Sequence, residues 1–178
     1  MPKKICVFCA SSNSKDPIIV KETKKIGKII ASNNMSLVYG GAKIGLMGLI
    51  AKEVLKNNGK VIGVIPTILS KKEIINTDIT KLYRVKNMHE RKQKMYDLSQ
   101  IFIALPGGIG TLEELSEIIT WKSLNIKKTT IHLMNLNGFY DPLINQFHKM
   151  NDNEFLYFDI FKEIIIHDNT NTLEKYLK

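Results

Sequence analysis

Apolar residues fall in seven short runs along this chain, separated by longer segments of mixed apolar and polar residues. The runs are rich in Val and Ile and contain few polar residues, a pattern typical of strands buried on both faces of a sheet. The runs predict strands at about 5–10, 36–41, 60–66, 82–85, 101–108, 129–135 and 163–167.

The segments between these runs carry helical periodicity. Asp16 with Pro17 supplies a start signal and the Asn57-Asn58-Gly59 run a stop signal. Helices are predicted at about 16–33, 45–58, 88–99, 111–125, 139–152 and 171–177. Strand alternating with helix indicates a Rossmann-like, doubly wound α/β fold with a mainly parallel sheet covered on both faces. Segment 67–87 is the least regular and is expected to form a lid or wall over a site.

Length and composition favour one domain over residues 1–178. The chain has 178 residues, 20.3 kDa and 44% hydrophobic residues, enough for a substantial core. No apolar stretch reaches the roughly 18 residues of a membrane span, and the start lacks a convincing signal peptide. We therefore expect no membrane partner and a cytoplasmic location.

The charge is strongly positive, with a formal net charge of +9. Such an excess suits phosphorylated small molecules or polyanions. The lysines occur in short scattered groups without aromatic interleaving, so nucleic acid is not the expected partner. Cys6 and Cys9 form a lone C-x-x-C, and the histidines lack metal-ligand spacing. Two cysteines on a buried strand in a reducing compartment explain this pattern better than a metal site.

Two glycine-rich loops follow predicted strands. The first spans 38–48, and the second contains Gly107, Gly108, Gly110 and Thr111. Glycines let a backbone approach a ligand closely, Thr111 can cap the next helix and donate its hydroxyl, and a helix N-terminus favours phosphate. Neither loop fits the P-loop pattern, and the first also differs from the dinucleotide fingerprint. Tight turns needed only for helix–sheet packing remain the alternative.

Charged residues accompany the second loop and one further helix. Glu113 and Glu114 fall in the first predicted turn after the loop, where they either complement the helix dipole or place one carboxylate near the sugar of a bound nucleotide. In the helix at 88–99, Met88, Arg91, Lys92 and Met95 share one face. That face suits a pocket wall, or else cations that extend over core methionines.

These motifs, in this order, resemble the Lonely Guy type cytokinin riboside 5′-monophosphate phosphoribohydrolases, often labelled lysine decarboxylase-like. The resemblance rests on ICVFCASS, LVYGGAKIGLMG, VIGVIP, MHERK, FIALPGGIGTLEEL and NLNGFYDPL, and covers nearly the whole chain. It implies hydrolysis of the N-glycosidic bond of a nucleoside 5′-monophosphate, such as AMP or a cytokinin ribotide, to free base and ribose 5-phosphate. It implies no cofactor and no metal, and a homodimer with sites near the interface.

The resemblance also assigns residues. Arg91 and Glu114 match the catalytic pair of the family. The positions assigned to substrate binding are Gly41, Gly45, Met47, Glu73, Met88, Lys92, Gly107, Gly108, Ile109, Gly110, Thr111, Leu112, Glu113 and Thr120. The chain departs from the family pattern at Ala42, Asn125, Lys127 and Thr129, positions that bear on substrate preference and assembly.

Two other functions compete with this interpretation. The older label predicts an amino-acid decarboxylase, which needs pyridoxal phosphate on a Schiff-base lysine, and the sequence nominates no such lysine. A non-catalytic nucleotide- or nucleic-acid-binding protein is the other alternative, because related folds bind without catalysis. The pairing of Arg91 with Glu114 favours the enzyme, since a protein that only binds does not need both.

Overall fold

A parallel sheet of seven strands forms the centre of the computed structural model, which describes residues 2–71 and 75–177. The strands are β1 (Lys4–Phe8), β2 (Ser36–Tyr39), β3 (Lys60–Pro66), β4 (Lys81–Val85), β5 (Ile101–Ala104), β6 (Thr130–Met134) and β7 (Ile164–His167). Their spatial order is β4-β3-β2-β1-β5-β6-β7, and every neighbouring pair is parallel. The doubly wound fold is confirmed.

The described ranges contain seven helices, six of which lie between strands while the last follows β7. They are α1 (Pro17–Ser32), α2 (Gly45–Lys56), α3 (Met88–Leu98), α4 (Ile109–Ser123), α5 (Asp141–Asp152), α6 (Ile160–Glu163) and α7 (Thr170–Leu177). The sequence pattern missed α6, whose single turn is too short to show periodicity. The predicted second and fifth strands were also too long. The observed strands end at Tyr39 and Ala104, before the glycines of the two loops.

Alternation along β1 explains why its sequence is apolar throughout. Ile5 and Val7 point into a core with α1, α2 and α7, whereas Cys6 and Phe8 point into a second core with α3, α4 and α5. Both faces of the strand are therefore buried, as parallel strands require. None of the helices in the described part of the chain is long and apolar enough to cross a membrane.

Polar contacts fix the start of α1 and join the last two strands of the sheet. Asp16 caps α1 by accepting a hydrogen bond from the Ile18 N–H at 2.7 Å, as its position before Pro17 predicted. At the other end of the sheet, the buried rings of His132 on β6 and His167 on β7 lie 2.9 Å apart between Nδ1 and Nε2. Burial lowers the pKa of His132 to about 4, so this pair joins the last two strands in its neutral form.

The strand order reverses between β1 and β5. The chain builds outward from β1 to β4 and then returns to place β5 on the opposite side of β1. The loops beyond the carboxyl ends of these two strands consequently diverge and leave a cleft. This cleft is the position at which doubly wound proteins bind their ligands.

Candidate active site

A cavity of about 380 Å³ lies at this switch point. Its walls come from the loop after β1, the first turn of α2, the 3₁₀ helix Thr67–Lys71, and helices α3 and α4. The lining residues are Cys9, Ala10, Ser11, Met47, Leu69, Met88, Arg91, Gly108, Ile109, Gly110, Thr111, Glu113 and Glu114. The expectation that segment 67–87 forms part of the wall is supported by Leu69.

Arg91 is a buried guanidinium on α3 that faces the cavity. The helix begins at Asn87, whose side chain accepts the Glu90 N–H at 2.9 Å, and this fixes the first turn before Arg91. Arg91 is 5% exposed, and its Nη1 lies 3.7 Å from the Met88 Sδ. Its Nε–H has no hydrogen-bond partner in the described chain. Because an unpaired buried donor is costly, this atom is suited to bind a ligand.

Glu114 on α4 places its carboxylate close to this guanidinium. One oxygen, Oε1, lies 3.9 Å from Arg91 Nη2, and the residue is also 5% exposed. Burial raises the pKa of Glu114 to about 7, and the opposing attraction of Arg91 offsets only part of this effect. The carboxyl therefore exchanges its proton near neutral pH, as a general acid or base must.

The second glycine loop leads directly into α4. Helix α4 begins at Ile109 with Gly108 as its N-cap, two residues earlier than predicted, so the prediction that Thr111 caps the helix is wrong. Glu113 and Glu114 accordingly lie in the second turn. Within the described ranges, the N–H groups of residues 107–110 form no hydrogen bond, so the helix presents unpaired donors to the cleft.

The three glycines of this loop differ in their surroundings. A Cβ added at Gly107 would lie 2.1 Å from Thr111 Oγ1, so this glycine is required by packing. A Cβ at Gly108 or Gly110 would meet no atom within 4 Å in the described structure. Space is therefore left open on the cleft side of the helix N-terminus, where an anion would approach.

Lys92 follows Arg91 in sequence but does not line the cavity. Its Nζ lies 2.5 Å from Glu113 Oε1 and 3.1 Å from Glu117 Oε2, and Tyr96 donates a hydrogen bond to the same Glu117 oxygen. Burial alone would lower the pKa of Lys92, but these carboxylates raise it above its ordinary value. The lysine thus joins α3 to α4 as a stable cation, an arrangement that the pattern on one helix could not reveal.

The first glycine loop and the start of α2 pack against the loop after β1. The N–H groups of Leu46 and Met47 at the start of α2 donate to the carbonyls of Ser12 and Ala10 at 3.2 Å each. Gly45 has a φ of +65°, and a Cβ there would lie 2.3 Å from the Ser11 carbonyl carbon. Because these two N–H groups are already paired, the start of α2 does not offer them to a phosphate. Instead, it supports the loop after β1.

The remaining predicted binding residues are distributed unevenly. Met47, Met88, Ile109 and Glu113 line the cavity, whereas Gly41, Leu112 and the exposed Thr120 do not. Gly107 lines an adjoining cavity of about 290 Å³. Glu73 lies outside the described residues. The prediction missed Cys9, Ala10, Ser11 and Leu69, although the position of the first three after β1 could have identified them.

Fold and site together define a class of protein: a Rossmann-like α/β protein with unpaired N–H groups at a helix N-terminus and an Arg–Glu pair at the switch point. The chain belongs to the cytokinin riboside 5′-monophosphate phosphoribohydrolase family, and the family described as "Possible lysine decarboxylase" matches residues 47–177. No cluster of metal-binding side chains occurs in the described residues.

Comparison with known proteins supports this membership. The chain is 42% identical to the probable cytokinin riboside 5′-monophosphate phosphoribohydrolase LOGL2 of Oryza sativa subsp. japonica. The 154 aligned residues cover 86% of this chain and 63% of that protein. It is 40% identical to LOGL1 of the same plant, with 98% and 80% covered. A molybdenum cofactor binding protein from Rippkaea orientalis shares the fold alone, with a TM-score of 0.74, 18% identity, and 99% and 96% covered.

Proposed function

We propose that this protein hydrolyses the N-glycosidic bond of nucleoside 5′-monophosphates, including AMP or cytokinin ribotides, to free base and ribose 5-phosphate. One observation carries the proposal: the buried Arg91 and Glu114 face one cavity together, 3.9 Å apart, where α4 opens its N-terminus. The relatives named above are phosphoribohydrolases, which agrees with this chemistry.

The helix N-terminus is the proposed phosphate site. A 5′-phosphate would accept hydrogen bonds from the unpaired N–H groups of the loop from Gly107 to Gly110, and from the Thr111 hydroxyl. The dipole of α4 adds a favourable interaction with the anion. Binding at this remote group would position the ribose beside the second turn of the helix, where Glu114 lies.

Arg91 and Glu114 are the proposed catalytic residues. As the C1′–N bond breaks, positive charge develops on the sugar and negative charge on the departing base. Glu114, as a carboxylate, stabilises the sugar and takes a proton from the water whose oxygen bonds to C1′. Arg91 stabilises the departing base through its unpaired Nε–H, and the base leaves with the proton that Glu114 accepted from the water.

Three apolar side chains are proposed to hold the base. Met47, Leu69 and Met88 are the long apolar side chains that line the cavity outside the start of α4. Thioethers pack well on flat rings and adapt to substituents. The identity of the base therefore depends on a flexible wall rather than on a fixed set of hydrogen bonds.

A lysine decarboxylase does not fit this site. Pyridoxal phosphate needs a lysine that loses its proton to form a Schiff base. The cavity has no lysine among its described lining residues, and Lys92 beside it is held as a cation by two carboxylates. We derive no step through that cofactor.

We further propose that the protein acts as a homodimer in the cytoplasm. Leu124, Ile126, Phe155 and Tyr157 are large, exposed side chains near the end of α4, and Ser123 Oγ lies 3.0 Å from the Tyr157 hydroxyl. A second copy of this chain would remove this apolar surface from water. The buried, free thiols of Cys6 and Cys9 suit a reducing compartment.

The test is release of free base from a panel of nucleoside monophosphates that includes AMP and N6-isopentenyl AMP. Glu114→Gln and Arg91→Ala should each lower the rate by about 10²-fold or more, because each removes charge stabilisation in a dry site. The matched controls are Glu22→Gln, another buried glutamate, and Arg84→Ala, an exposed arginine. Both controls should retain activity.

Two outcomes would contradict the proposal. If wild-type protein binds these nucleotides but releases no base, the non-catalytic binding function is correct instead. If either variant at Glu114 or Arg91 releases base at a near-normal rate, that residue loses its assigned role.

A further inference from the structure

Gly40 lies between the end of β2 and the first glycine loop, directly against the guanidinium of Arg91. A Cβ at this position would lie 2.0 Å from Arg91 Nη2 and 3.1 Å from its Cζ. The next atom it would meet is Met47 Sδ at 3.0 Å. The absence of a side chain at Gly40 therefore creates the space that the guanidinium occupies.

The reason for glycine here is not backbone conformation. Unlike Gly41 with its φ of +83°, Gly40 does not have a φ in the left-handed region. An alanine fits this backbone, and the atoms that it would displace are the tips of two flexible side chains. The fold can therefore accommodate the methyl group, whereas the position of Arg91 cannot stay the same.

We propose that Gly40 is a positioning residue that sets the place of the Arg91 guanidinium beside Glu114. The carboxylate lies 3.9 Å from the same Nη2 atom that an alanine at residue 40 would displace. If the 2.0 Å contact relaxes to ordinary van der Waals distance, Arg91 Nη2 moves by more than about 1 Å. A displacement of this size is enough to lower the rate of base release substantially. The inference rests on the proposed function only for its kinetic effects.

The first experiment follows the carboxyl of Glu114 by ¹³C NMR titration in wild-type protein, Gly40→Ala and Arg91→Ala. Arg91 lowers the pKa of Glu114 against the effect of burial, so displacing the guanidinium should raise it. We expect the midpoint in Gly40→Ala to rise by roughly half a unit or more, towards that of Arg91→Ala. An unchanged midpoint in Gly40→Ala overturns the proposal.

The matched control is Gly63→Ala on the neighbouring strand β3. Its added Cβ would meet two flexible tips, the Cδ1 atoms of Ile79 at 2.8 Å and Leu82 at 3.0 Å, and the Gly41 Cα at 3.1 Å, but not the arginine. The pKa of Glu114 should stay at its wild-type value in this variant. An equal shift in Gly63→Ala would show that Gly40→Ala acts through general disturbance of the sheet, and the positioning role would be wrong.

Kinetics supply the second experiment. Gly40→Ala should lower kcat at least about tenfold with little change in KM, and should have no further effect in an Arg91→Ala background. Additive losses in the double variant contradict action through Arg91. If wild-type protein releases no base, the proposed function fails, but the NMR titration still decides the role of Gly40.

Discussion

The charged form of Glu114 is disfavoured by the surroundings of this side chain. Its pKa rises from 4.5 to about 7 because burial disfavours the charged form, so folding favours the neutral acid. A carboxyl that is raised in this way contributes stability below pH 4.5, and this contribution is lost as the pH rises through 7. The chemistry proposed for Glu114 uses its charged form, which makes the site costly for the fold.

We therefore expect Glu114→Gln to stabilise the protein at alkaline pH. The free energy of unfolding should exceed that of wild type by about 1–3 kcal/mol at pH 8.5 and approach it at pH 5. Urea denaturation at the two pH values measures this. Glu22→Gln is the control with the opposite sign, because hydrogen bonds from Lys25 and Thr170 outweigh burial and lower the pKa of Glu22. A stability gain that is independent of pH would contradict the explanation.

The N-terminus of α4 is the element on which the proposed phosphate site depends. Its cleft side is left bare by Gly108 and Gly110, while Gly107 is packed against Thr111. Glycine is unfavourable inside a helix relative to alanine, so Gly110 reduces helix stability in exchange for open space. The element therefore combines one glycine that packing requires with two that packing does not require.

Gly110→Ala tests this division. The variant should gain up to about 1 kcal/mol in free energy of unfolding, because Ala has the higher helix propensity. Its KM for AMP should rise about tenfold or more, because the methyl group enters the phosphate site. Gly107→Ala, by contrast, should lose stability through its contact with Thr111. An unchanged KM for AMP in Gly110→Ala would show that the phosphate does not bind at this helix N-terminus.

The strands were predictable from the sequence, whereas the start of α4 and the contacts between helices α3 and α4 were not. Continuous apolar runs such as the one in β1 gave the strands and their parallel arrangement, because burial on both faces requires that composition. The start of α4 was misplaced, since Gly108 caps through backbone conformation and leaves no sequence signal as strong as Thr111. The pairing of Lys92 with Glu113 and Glu117 depends on the approach of two helices, which residue spacing does not contain.

At the scale of the whole molecule, a groove lined by lysines and the proposed dimer surface lie on opposite faces of the sheet. Lysines 15, 21, 24, 25 and 28 line one groove along α1, although the sequence suggested that they were scattered. The exposed apolar residues that we assign to a dimer lie near the end of α4, on the other face of the sheet. The absence of a nucleic-acid partner stays a prediction.

The dimer is tested by light scattering at micromolar concentration. The wild-type protein should have twice the 20.3 kDa mass of one chain. Phe155→Asp places a charge in the proposed interface and should shift the protein towards monomer, while Ile18→Asp, at an exposed apolar position on α1, should not. A monomeric wild type would show that this surface has another role.

The position of β1 at the centre of the sheet has a consequence for synthesis. β1 is made first, but one of its two neighbours, β5, begins only at Ile101. Until that residue has emerged and paired with Ile5, one edge of the central strand keeps unpaired backbone groups. Arg91 also remains without its carboxylate until α4 has been made. A product truncated before α4 therefore lacks Glu114, one residue of the proposed catalytic pair.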